Sequence, residues 1–104
     1  MDNRVQTKEI INNAAILGLI QNDIVSVVTQ KNEIIDYLTN GEIIAAAAGR
    51  AKDILTGERI QGEWLTYTDG VYHWDTALIY YVENYNLKLP DEFLDHAMPT
   101  RQTA

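Results

Sequence analysis

The chain of 104 residues holds two histidines, and each has a carboxylate close by in sequence. His73 and Asp75 are spaced to share one face of a strand, and Glu92 and His96 to be neighbours on a helix. Imidazole and carboxylate are ligand types for zinc or iron, but two histidines without any cysteine make a poor metal centre. The expectation is no metal, with His73 packing across strands and His96 placed as a favourable cation near a helix C-terminus. Ser26, the one serine, sits in an apolar run without a G-x-S-x-G context, which argues against a catalytic triad. Asp91 with Glu92, or Asp69 with Asp75, could exchange protons if one member were desolvated, yet helix N-terminal and turn positions already account for each. Gly49-Arg50-Ala51-Lys52, with Arg59 beyond it, is the one basic cluster; it lacks the spacing of a phosphate loop and is expected to balance Asp53 and Glu58 at the surface. These residues predict a protein that is not an enzyme and carries no cofactor.

A second constellation stands above background. Eight of the nine aromatic residues fall between Glu63 and Ala97, where one lysine meets seven acids out of a chain net charge of −7. Tyrosine and tryptophan are frequent interface anchors, and interleaved acids steer a basic partner inward while repelling phosphate backbones. Trp64, Tyr67, Asp69, Tyr72, Trp74, Asp75, Tyr80 and Glu83 are therefore the predicted partner-binding set. The implied partner is a basic protein, such as a toxin domain or a phage or host factor, and not a nucleic acid. Two plainer readings compete. Most of these rings could be the core of a chain with a single phenylalanine, and the acidity could serve solubility alone, leaving a structural or regulatory domain that self-associates, as a homodimer for instance, through a hairpin edge.

Positioning those residues requires an α+β domain, with N-terminal helices, a small antiparallel sheet that holds a hairpin, and two C-terminal helices. Trp64 to Tyr67 and Val71 to Trp74 flank Thr68-Asp69-Gly70, which predicts a β-hairpin over about 63–74 with positive φ at the Asp-Gly pair. Asp75 reads as an N-cap, and Leu78, Tyr81, Val82 and Tyr85 form one helical stripe in a helix over about 75–86 that leaves Tyr80 exposed. Pro90, as a first helical residue ahead of Asp91 and Glu92, opens another helix over about 90–98, which Pro99 stops. Upstream, Ile10, Ile11, Ala14 and Leu17 predict a helix from Thr7 or Lys8 to Gln21, and a further helix, capped by Asp23 in preference to a strand at 24–28, runs through Lys31 to Leu38 and ends at Asn40-Gly41. Residues 42–55 are ambiguous. Ile44, Ala47, Ala48, Ala51 and Leu55 fit a helical stripe, and Thr39 with Glu42 fits a capping box, but Gly49 interrupts them; Thr56-Gly57 is a turn.

The pattern T-D-G-x-Y-x-W followed by L-x-Y-Y-V-x-x-Y-x-L-x-L-P-x-E-F, Thr68 to Phe93, resembles a block of small uncharacterised bacterial proteins of the toxin-immunity or prophage type. It covers about a quarter of the chain, leaves the residues before Thr68 unmatched, and implies no active residues. It implies an extended strand after Gly49 leading into the Thr-Gly turn, while the immunity- or inhibitor-type role expected of the chain rests on the charge asymmetry, the exposed aromatics and the absence of catalytic motifs.

Composition places the chain among single globular domains, with flexible ends expected at 1–6 and 99–104. The absence of cysteine fits a reducing cytoplasm. The longest stretch without charge, Ile10 to Asn22, falls short of the roughly 20 apolar residues that cross a bilayer, and it lacks the flanks of a secretory signal. A soluble, cytoplasmic protein is the expectation.

Overall fold

The computed structural model describes residues 7–21 and 30–98 of the chain. The predicted strand-or-helix at 24–28, the cap at Asp23, the stop at Pro99 and the flexible ends lie outside them. The described elements are strand β1 (Lys8–Glu9), helix α1 (Asn13–Gln21), helix α2 (Lys31–Thr39), strands β2 (Glu42–Ala47), β3 (Trp64–Thr68) and β4 (Tyr72–Asp75), and helices α3 (Thr76–Tyr85) and α4 (Asp91–Ala97). The class is α+β as expected. The strands form one sheet in the order β1-β4-β3-β2.

The hairpin forms where its residues place it, with Tyr67 opposite Trp74 and Thr68 opposite His73. Its turn works differently from expectation. Only Gly70 has positive φ, and the Asp69 carboxylate instead accepts from the amides of Val71 at 2.9 Å and Tyr72 at 2.7 Å, so a side chain closes the loop. Asp75 caps α3 by accepting from the Leu78 amide at 3.1 Å, and Asn86 ends that helix in the left-handed region. Pro90 precedes α4 as its cap residue and is not its first turn.

The predicted first helix is shorter than its periodicity. Lys8 and Glu9 instead pair in parallel with Tyr72 and His73, which makes the sheet mixed and not purely antiparallel. The helix then begins where Asn12 accepts from the Ala15 amide at 2.8 Å. The asparagines that break the apolar run are thus a start signal.

Residues 42–47 are a strand, antiparallel to β3, with a bulge between Ile43 and Ala45. Helical propensity at Ala-rich positions is worth only tenths of a kcal/mol per residue (about 0–0.7), and pairing along β3 overrides it. The capping box at Thr39 does not form; its hydroxyl donates to the Ile35 carbonyl at 2.5 Å. Beyond Gly49 the chain makes a short hairpin-like loop, with Lys52 bridged to Arg59 and the Asp53 amide donating to Glu58 at 2.8 Å, closed at Gly57. The β3–β4 hairpin is interior to the sheet, flanked by β2 and β1, so it has no long free edge for the self-association expected there.

The core joins one sheet face to the helices. Ile34 and Leu38 of α2, Leu78, Tyr81 and Val82 of α3, and Phe93 and Leu94 of α4 pack with Tyr67, Tyr72 and Trp74. Trp74 Nε1 donates to the Leu38 carbonyl at 2.9 Å. Gly41 is required there, because a Cβ on it would lie 2.7 Å from the Trp74 ring.

Candidate binding surface

The predicted aromatic set divides sharply. Tyr67, Tyr72 and Trp74 are buried and cannot meet a partner. Tyr67 stacks on Trp74 at 6.4 Å, and Phe93 stands edge-on to Tyr72 at 5.1 Å and to Trp74 at 6.2 Å. Strand alternation puts Tyr67 and Trp74 on the covered face, where three rings supply the apolar area that a chain poor in phenylalanine otherwise lacks. Trp64 lies on the opposite face, half-buried, its Nε1 donating to Asp75 at 3.2 Å.

Asp69 and Asp75 are structural as well. Besides its two turn amides, Asp69 accepts from the Tyr37 hydroxyl at 2.5 Å and meets His96 Nε2 at 2.9 Å, tying α2 and α4 to the hairpin. Burial pushes its carboxyl up, but the Tyr37, Tyr72, Val71 and His96 contacts outweigh this and hold it below the usual range. Tyr37 is raised by its burial and by Asp69. His96 therefore faces Asp69, while Glu92, the expected neighbour, lies 3.8 Å from Lys8. His73 Nδ1 meets the Thr7 hydroxyl at 2.8 Å, and with Asp75 and Thr66 it lines a cavity of about 180 Å³ beside β1 and α1. Among the described residues, no three His, Asp or Glu side chains are grouped to hold a metal ion.

Asp53 departs most from expectation. The sequence places it at the surface against Arg50 and Lys52, yet it is 2% exposed. Its carboxylate accepts from Tyr80 at 2.7 Å, Tyr85 at 2.5 Å, and the amides of Leu55 at 2.7 Å and Thr56 at 3.1 Å. Burial raises its pKa, and these four donors together bring it below the ordinary value. Tyr85 and Tyr80 are raised, first by the bond to Asp53. Arg50 Nε donates to the Ile60 carbonyl at 3.0 Å and braces the loop from outside. The Asp-x-x-Thr-Gly spacing was a legible turn signal. The tyrosines that reach it lie 27 and 32 residues away and were not legible.

This anchor shapes a cleft. Tyr80 is half-buried, not free as the stripe predicts, because its hydroxyl reaches under the 51–60 loop. Between that loop and α3 lies a concavity of about 450 Å³ in which exposed Glu58 and Glu83 flank the Tyr80 ring, with Arg59, Gln61 and Asn84 around them. Tyr80 and Glu83 are thus the predicted pair brought to one place, and Glu58 is the member that sequence reading missed. No family model, curated protein or solved structure matches the chain. Among the described residues no helix is long and apolar enough to cross a membrane. The cleft presents the Glu58 and Glu83 carboxylates, the Arg59 guanidinium and the Gln61 and Asn84 amides, and the Tyr80 hydroxyl is committed to Asp53.

Proposed function

We propose that the chain is a small, acidic protein-binding module that occludes a basic partner, in the manner of an immunity or inhibitor protein, within the cytoplasm. The observation that carries this reading is the α3 cleft, where Glu58 and Glu83 border a ring whose position is set by a buried carboxylate. A lysine or arginine entering there meets two carboxylates and a tyrosine face, and the ring does not have to be ordered because its bond to Asp53 already holds it. The acids of the surrounding surface supply the attraction at longer range. The partner-binding set narrows accordingly to Tyr80, Glu83 and Glu58, with the half-buried Trp64 beyond them. The module acts by binding and blocking, without chemistry of its own.

The test is a pulldown from the native host at low salt with wild type and with Glu58→Lys/Glu83→Lys, followed by association kinetics on any partner recovered. The charge-reversed protein should lose the partner, associate more slowly and show a flatter salt dependence, while melting like wild type. Recovery of the same partner by both proteins, with equal rates, would refute the reading.

A further inference from the structure

Strand β2 is exposed along its entire length, and among the described strands only β3 pairs with it. Ile43 and Ile44 are 54% and 53% exposed, and no charged residue occurs from Ile43 through Gly49. Edge strands are ordinarily guarded by charge, proline, a bulge or shortness. The opposite edge, β1, is guarded by being two residues long. Along β2 the sole guard besides Glu42 at its start is the bulge at Ile44. We propose that β2 is the interface of a symmetric dimer, in which the β2 strands of two copies pair antiparallel and join two sheets into one.

The strand is complementary to its own reverse. With a two-fold axis between Ile44 and Ala45, Ile43 of one copy faces Ala46 of the other and Ile44 faces Ala45, so large side chains meet small ones. Glu42 falls opposite the uncharged Ala47, so the two carboxylates sit at opposite ends of the contact. A parallel pairing would instead set the two Glu42 carboxylates side by side. The net charge of −7 opposes association elsewhere, and an uncharged edge is where that repulsion is weakest. The contact also closes on itself: once both β2 strands are used, the described sheet offers only its two-residue edge, so growth stops at two copies. With six strand residues a side against the about 20–30 of a standard interface, the dimer is reversible. It is built from different elements than the α3 cleft and stands whether or not that cleft binds a partner.

Sedimentation equilibrium of the full chain from about 10 μM to about 1 mM tests this. The mass should rise from one chain to two and no further, and added salt should strengthen association by screening like charge, opposite to its effect on a basic partner. Ile44→Lys and, independently, Ala46→Lys should raise the dissociation constant at least about tenfold, with melting unchanged because both positions are exposed. In wild type, exchange protection of the β2 amides should grow with protein concentration, a readout that needs no variant. A mass of one chain throughout, a dimer indifferent to both substitutions, assemblies larger than two, or β2 protection that appears only when a second protein is added would each overturn the proposal.

Discussion

Replacing Asp53 with alanine tests the view that one buried carboxylate holds the cleft together. The substitution removes the acceptor for two tyrosine hydroxyls and two loop amides, all within 3.1 Å of it. Hydrogen bonds to a charged group contribute about 1.5–3 kcal/mol each, but Leu55 and Thr56 are exposed enough for water to replace their lost partner. Counting the two tyrosines fully and the amides lightly, the expected cost is about 3–5 kcal/mol. For a domain of this size that is a fall in Tm of at least about 12 °C. Asp53→Asn keeps an acceptor for the amides and should cost less, about 1.5–3 kcal/mol, so the order is wild type, Asn, Ala. Urea denaturation with tyrosine fluorescence reads both the stability and the release of the rings. If Asp53→Ala lies within about 1 kcal/mol of wild type, the carboxylate does not hold the loop to α3, and the preorganised cleft loses its basis.

Three further outcomes are expected. Val82→Ala, at a position fully buried between helix and sheet, should cost about 1–3 kcal/mol in chemical denaturation, and Tyr80→Ala should also destabilise measurably through its lost bond to Asp53. Gly41→Ala should lower Tm by crowding the buried Trp74 ring, at a cost of about 1–3 kcal/mol, whereas alanine at Gly18, which has open space, should be near neutral. Stability should be flat through neutral pH and fall at both ends. Asp53 and Asp69 are depressed when folded, so their contribution is present above about pH 4, their unfolded range, and is lost as pH falls through the folded values. Tyr37, Tyr80, Tyr81 and Tyr85 are raised when folded, so theirs is present below about pH 10 and is lost as pH climbs through the folded values. Melting curves across pH check this, and in Asp53→Asn the acid limb should be shallower.

Local chemistry was enough for the C-terminal half. An Asp-Gly pair between aromatic runs, an Asp75 cap with an i, i+3, i+4, i+7 stripe behind it, and Pro90 ahead of two acids each encode their element within about ten residues, and the hairpin, α3 and α4 sit where those signals place them. Strands β1 and β2 were not encoded that way. Lys8–Glu9 is extended because its amides and carbonyls find β4 more than sixty residues later, and Glu42–Ala47, helical by propensity, is extended because β3 offers a ladder. The same division runs through the binding surface. Sequence could mark Tyr67, Tyr72, Trp74 and Tyr80 as the rings that matter, but their alternation along a strand or helix says only which share a face, not which face the helices cover. Packing of α2, α3 and α4 decided that, burying three of the rings and leaving Tyr80 at a cleft. It also converted Asp53 from one acid among fifteen into a buried anchor, because a charge withdraws from water only where several donors converge on it, and convergence is a property of the folded chain.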